Sequence, residues 1–225
     1  EMKSFNITNE DLANNPAPRC TCMLVLDTSS SMEGQPINEL NEGLKMFWND
    51  VRKDEVASNS VEVGIVTFGG RAKMVNEIEN IMAYEPPVLT ASGMTPMGSA
   101  LEIAISDVKK RKKEYKNHGV SYYQPWIVLM TDGQPNDNWE GAANAVKQLD
   151  SQRKCLFFGV GVGDSVDMDT LKYICPESRP PKRMSEVDFR EFFQWLSASL
   201  KQVSMSSPDQ QLLLPSTVGW EVVEV

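Results

Sequence analysis

The 225-residue sequence predicts a doubly wound α/β domain: a mostly parallel central sheet with one antiparallel edge strand and helices on both faces. Three observations predict it. Apolar runs of strand length recur as CMLVL (22–26), VEVGIVTF (61–68), WIVLM (126–130) and CLFFGV (155–160). Segments with the three-and-four spacing of an amphipathic helix lie between or after them, which implies βαβ crossovers. Finally, AKMVNEI (72–78) follows VEVGIVTF after only the turn GGR, too short for a crossover, so it pairs antiparallel at an edge.

Taken in order, CMLVL is apolar at every position and reads as a strand buried on both faces. The next helix is opened by Pro36 and carries Ile37, Leu40, Leu44, Phe47, Trp48 and Val51 on one face. A stronger helical pattern follows the hairpin, with Met97, Ala100, Leu101, Ala104, Ile105 and Val108 in register. Trp139, Ala142, Ala143, Val146 and Leu149 mark a third helix, and Phe189, Phe192, Phe193, Leu196 and Leu200 a late one. The organisation expected is an N-terminal extension (1–19), one domain (20–203) and a tail (204–225) that either docks on the domain or reaches a partner. There is no internal repeat.

Composition narrows the function. Hydrophobic residues make up 41% and charged residues 24%, ordinary for a globular protein, and the net charge of −9 argues against general nucleic-acid binding. No run reaches the roughly 18 apolar residues of a membrane span, and the first twenty residues lack a signal-peptide core, so a cytoplasmic monomer away from membranes is expected. The sequence opens with Glu1 before Met2, which leaves open an upstream segment or an added residue. Cys20 and Cys22 lack CxxC spacing, and the four cysteines read as buried or idle thiols rather than as a zinc site.

The functional question is posed by LDTSSSM (26–32), where a buried strand gives way to one carboxylate and four successive hydroxyls. In an open parallel sheet, ligands bind beyond the carboxyl ends of the strands. Asp27 ends the first strand, with Ser29 and Ser31 in the loop after it; Asp132 ends another in WIVLMTDG; Thr95 precedes Pro96 at the start of the strongest helix. Two carboxylates and three hydroxyls, with no His or Cys, suit Mg²⁺, with Mn²⁺ or Ca²⁺ as alternatives, rather than zinc. Two carboxylates balance a divalent cation, and neutral hydroxyls leave it electrophilic enough to take a carboxylate from a partner.

Asp27-x-Ser29-x-Ser31, then Thr95, then Asp132 in TDG, resembles the von Willebrand factor A fold with its metal-ion-dependent adhesion site, over roughly residues 20–203. The resemblance implies that Ser29, Ser31 and Thr95 touch the metal directly or through water, while Asp27 and Asp132 hold waters and hydroxyls from behind. The flanking sequences DTSSSM, GQPINELNEGL and SGMTPMGSAL look closest to the bacterial cytosolic TerY-type branch associated with tellurium resistance. That branch implies an adaptor with an operon-encoded kinase or phosphatase as partner. Ser30 departs from the family, where Gly is common, and a positive φ there would be strained.

Blander readings compete at each feature. LDTSSSM could be a solvated loop that caps the next helix, and Thr95 before Pro96 is itself a good cap. A helix N-terminus is also positive and should repel a cation, though it would welcome the cation's acidic ligand. GVGVGDS (159–165) lacks GxGxxG spacing and is not expected to bind a nucleotide. KKRKKEYK (109–116) reads as a solvated helix end rather than an RNA or membrane patch. His118 has no Ser or Cys motif to serve. Asn136 and Asp137 could reach the metal rim, but capping the helix that includes Trp139 explains them as well, and Asn6 in NIT is a glycosylation acceptor only if the chain is secreted.

The expectation is therefore a non-enzymatic, metal-dependent interaction module that binds an Asp or Glu of a protein partner. The rivals are an extracellular adhesion domain, marked by an upstream signal, and a Mg²⁺-dependent phosphoryl-transfer enzyme with Asp27 as nucleophile. Against the latter, the residue two beyond Asp27 is Ser29 rather than a second Asp, and no GK[ST] loop is present.

Overall fold

The computed structural model describes residues 12–217 and 219–221. Strand β1 (Cys20–Asp27) is buried at all eight positions, as an apolar strand covered on both faces must be. Helix α1 (Gln35–Arg52) has Pro in its first turn and buries the face carrying Ile37, Leu40, Leu44, Phe47, Trp48 and Val51. A short α2 (Glu55–Ser60) is capped by Asp54, whose carboxylate accepts from the backbone N–H of Val56 and Ala57. Strands β2 (Val61–Gly69) and β3 (Arg71–Asn80) form the hairpin, with register shifts in β3. Then come α3 (Met97–His118), ended by left-handed Gly119, β4 (Trp126–Thr131), α4 (Glu140–Ser151) and β5 (Leu156–Val162). The described chain closes with α5 (Met168–Ile174), β6 (Lys182–Met184) and α6 (Phe189–Ser204).

The sheet order is β3-β2-β1-β4-β5-β6, and every neighbouring pair is parallel except β2 with β3. This is the predicted mixed sheet with its antiparallel edge. One core cluster packs α1 and α6 on one face, around Leu44, Phe47, Phe193 and Leu196. The other packs α3, α4 and α5 on the opposite face, around Leu101, Ala104, Val146 and Leu171.

Three elements escape the sequence reading, because each is short and lacks a full apolar period. α2 is held by its Asp54 cap, α5 by the equivalent Asp167 cap, and β6 is three residues, KRM. The run GVGV belongs to β5, and its glycines admit α5: a Cβ on Gly159 would lie 2.4 Å from Cys175 Sγ, and one on Gly161 2.7 Å from Met168 Sδ. All four cysteines are buried and free. No helix among the described residues is long and apolar enough to cross a membrane.

Beyond α6 the tail lies on the domain. The indole of Trp195 donates to the Pro215 carbonyl at 2.9 Å, and buried Trp220 stacks edge-on to Phe192 at 5.1 Å. Glu221 bridges Met184 and pairs with Lys182 at 2.8 Å. Asn6 lies outside the described residues, as do the first eleven positions of the expected extension and the last four of the tail.

The basic run 109–116 is not uniformly a solvated helix end. Arg111 is 4% exposed and donates from Nε and Nη2 to the two oxygens of Glu62 at 2.9 and 2.8 Å. Glu62 is fully buried in β2, and it also meets Arg19 Nε at 3.2 Å and accepts from the Tyr115 hydroxyl. The helical spacing of the run hid this, since only the three-dimensional position of β2 reveals which cation turns inward. Removing one partner of a buried ionic cluster strands the others in a low-dielectric interior. Glu62→Ala is expected to destabilise the fold by about 3–5 kcal/mol in urea unfolding, whereas Lys110→Ala, which breaks the exposed pair with Glu77, should change stability by under about 1 kcal/mol.

Candidate functional site

The crossover from β1 leads through α1 to β2 on one side of the sheet, whereas that from β4 leads through α4 to β5 on the other. β1 and β4 are adjacent, so the two connections diverge at their carboxyl ends and open a crevice there. Their register, with Leu26 opposite Met130, brings Asp27 beside Thr131. Asp27 is 1% exposed, and its carboxylate accepts from the Thr131 hydroxyl at 2.6 Å and from the Ser29 backbone N–H at 2.8 Å. One oxygen ties the strands together, and the other bends the chain into its loop.

That bend aligns the hydroxyls. Ser29 and Ser31 Oγ lie 2.9 Å apart, and Ser31 Oγ donates to Asp132 Oδ1 at 2.7 Å. Ser29 is buried and Ser31 exposed, so the row runs from the interior to the surface. Ser30 has no positive φ, since Arg153 is the one non-glycine residue in that region among those described, and the serine is accommodated without strain.

Thr95 arrives from the connection between β3 and α3, and backbone bonds lash that loop to the first one and to the β2–β3 turn. Ser30 N–H donates to Gly93 O at 2.9 Å, Ser92 N–H to Thr28 O at 2.8 Å, and Gly70 N–H to Met94 O at 2.8 Å. Gly93 has φ +75°, and a Cβ there would fall 2.4 Å from Gly70 Cα. Gly133 faces the row: a Cβ on it would lie 3.9 Å from both Ser31 Oγ and Thr95 Oγ1. All five predicted residues are thus brought to one crevice, Asp27 beneath and Ser29, Ser31, Thr95 and Asp132 around it.

Thr95 does not cap α3. Its hydroxyl makes no hydrogen bond among the described residues, although the residue is only 9% exposed. The cap is Asp137, whose carboxylate accepts from the Gly98 and Ser99 N–H groups at 2.9 and 2.8 Å and from Ser99 Oγ at 2.8 Å. Sequence assigned Asp137 to the helix that follows it, yet it serves the helix on the far side of the crevice. It thereby neutralises the positive end of α3. Thr131, the partner of Asp27, was also missed, although TDG placed a hydroxyl at the strand end.

The donors fit a hard divalent cation: uncharged hydroxyl oxygens and two carboxylates, with no three His, Cys, Asp or Glu side chains converging among the described residues. Burial pushes the Asp27 carboxyl above its usual range, opposed by the bonds from Ser29 and Thr131. Burial likewise raises Asp132 to about 6, against the Ser31 bond and with the help of the nearby Asp27 charge. Two carboxylates held this close in a half-buried crevice favour the arrival of positive charge. Gly93→Ala, which forces a side chain into a left-handed backbone against Gly70, should cost at least about 1–3 kcal/mol on thermal unfolding, more than Gly141→Ala on the open face of α4, where nothing lies within 4 Å.

The comparisons with known proteins agree with this fold. The von Willebrand factor type A domain matches residues 22–197. The "Uncharacterized protein sll0103" of Synechocystis sp. is 25% identical over 185 residues, 77% of this chain and 41% of that protein. Mussel proximal thread matrix protein 1, solved with a zinc-occupied MIDAS motif, superposes with TM-score 0.56 at 21% identity, over 84% of this chain and 47% of that one. The vWF domain of the type V pili tip protein Mfa5 of Porphyromonas gingivalis superposes with TM-score 0.63 at 11% identity, over 88% and 99%. The chain therefore spans less than half of that curated relative, and the solved structures share its fold. With that family domain matched over most of its length, the chain belongs to the von Willebrand factor type A domain family.

Proposed function

We propose that the crevice is a metal-ion-dependent adhesion site: Ser29, Ser31 and Thr95 hold Mg²⁺, with Asp27 and Asp132 behind them, and the cation binds an Asp or Glu of a protein partner. The observation that carries this reading is the Thr95 hydroxyl: on a residue only 9% exposed, it has no hydrogen-bond partner among the described residues and lies beside the Ser31–Asp132 row. An oxygen with no partner in the fold and open to the crevice is available to a cation. The zinc-occupied motif in the mussel protein supports a divalent cation at this place in the fold. The bound metal would supply an open coordination position for an incoming carboxylate.

The module is read as a non-enzymatic adaptor. Asp27 is poorly suited to nucleophilic attack, because it is 1% exposed and both of its oxygens accept hydrogen bonds. The flanking sequence pattern supports a bacterial cytoplasmic role in stress response or tellurium resistance, with an operon-encoded kinase or phosphatase as the acidic partner. Capture of that partner from the native host in Mg²⁺, and its release by EDTA, tests this assignment; capture unaffected by EDTA contradicts it.

Metal dependence has a direct readout. Mg²⁺ at about 100 times its dissociation constant should stabilise the wild type by about 2.7 kcal/mol. Thr95→Ala should melt within about 0.5 kcal/mol of the metal-free wild type, because its hydroxyl bonds nothing, yet lose the Mg²⁺ response. An equal response in both proteins would remove Thr95 from the site.

The pH dependence follows from the raised carboxyl of Asp132. In the metal-free fold the neutral acid is favoured up to about 6, so this group stabilises the fold progressively as pH falls through 6 toward the ordinary carboxylate range. A cation must displace that proton. The Mg²⁺-induced rise in melting temperature should therefore be full above pH 7 and shrink as pH falls below about 6, and calorimetric titration at several pH values checks it.

A further inference from the structure

The metal crevice does not use the basic run 109–116, and the structure divides that run by direction. Lys110 faces β3 and pairs with Glu77 at 3.1 Å, and Arg111 turns inward to Glu62. The remaining lysines face α4. Lys109, Lys112, Lys113 and Lys116 meet Lys154, from the turn after α4, around a cavity of about 570 Å³. Among the described residues, no carboxylate lies within 4.0 Å of any of these five ammonium groups, in a chain whose net charge is −9.

Helix-end electrostatics does not account for the group. The favourable effect of a cation on a helix C-terminus is confined to the last turn. On α3 that turn holds Lys116 and His118, and the last turn of α4 holds no basic residue. Lys109, Lys112 and Lys113 sit further back and have no such compensation. Lys112 is held in place: its ammonium donates to the Lys154 carbonyl at 2.8 Å and lies 5.6 Å from the Tyr122 ring centroid. Burial lowers its pKa, and the charges of Lys116 and Lys154 add to that.

Val108, Ala145, Leu149 and Cys155 supply an apolar part of the lining, and of these Val108, Leu149 and Cys155 are buried. Low-dielectric walls beneath a ring of like charges focus the field into the space between them. The volume falls in the range of about 300–1,000 Å³ typical of small-molecule sites. We propose that the groove between α3 and α4 is a binding site for a small, multiply charged, phosphate-bearing anion, gripped by Lys109, Lys112, Lys113, Lys116 and Lys154. It lies along the C-terminal half of a helix about 33 Å long, whose other end carries Thr95. It takes an anion directly, whereas the crevice at the other end would require a cation first, so the two bindings are separable.

The test is calorimetric titration of the whole chain, freed of divalent metal, with sodium tripolyphosphate at low ionic strength. Vesicles containing a phosphoinositide are run in parallel by sedimentation. The expected result is saturable binding near one to one, weakened by added NaCl and at least about tenfold weaker in Lys113→Gln/Lys116→Gln. Those two side chains make no hydrogen bond or ion pair among the described residues, so the variant should fold normally. Lys53→Gln, far from the groove in sequence and fold, should bind as the wild type does. Failure of tripolyphosphate to saturate the wild type, equal binding by the double variant, or sedimentation with vesicles without any response to tripolyphosphate would overturn the proposal.

Discussion

The carboxylate of Asp27 is the joint on which the crevice depends. It sits at the end of β1, where the sheet's connections part to opposite faces, and its two oxygens hold Thr131 of β4 and the backbone of Ser29. One contact fixes the strand ends together; the other sets the turn that lines up Ser29 and Ser31 from the interior to the surface. A buried carboxylate is costly unless its oxygens are satisfied, and satisfying them is what shapes the loop. The hydroxyl row, the approach of the Thr95 loop and the position of Asp132 all take their places from that joint.

A second constraint is the closeness of the three loops. Gly70 and Gly93 allow backbone to pass against backbone, and the bonds from Ser30 to Gly93 and from Ser92 to Thr28 carry the Thr95 segment across. Asp137 then reaches from the loop after β4 to cap α3, so the same loop that carries Asp132 also holds the helix that follows Thr95. The helix end that would repel a cation is covered by a carboxylate of the protein itself. The electrostatic conflict visible in the sequence is thereby relieved within the fold.

Much of this was legible in the sequence, for reasons that differ by element. The four long apolar runs and the helices of α1 and α3 announce themselves through periodicity, because both sheet faces and one stripe of each helix must be buried. The five site residues were visible as oxygen donors at strand and helix ends. What was hidden is what depends on neighbours distant in the chain. Asp137 looked like a cap for its own helix, and Arg111 looked like one more solvated cation. Only the meeting of α3 with β2 sets Arg111 apart from Lys110, one residue before it. Short elements such as α2 and β6 rest on a cap or an edge pairing, and neither leaves a period to read.

On this reading the crevice hydroxyls hold a cation. Soaking crystals with Mn²⁺ and locating it by anomalous scattering tests this most directly. A single strong peak is expected at the hydroxyls of Ser29, Ser31 and Thr95, directly or through water, absent from crystals of Thr95→Ala. A peak elsewhere on the chain with none in the crevice, or one that persists unchanged without the Thr95 hydroxyl, would contradict it.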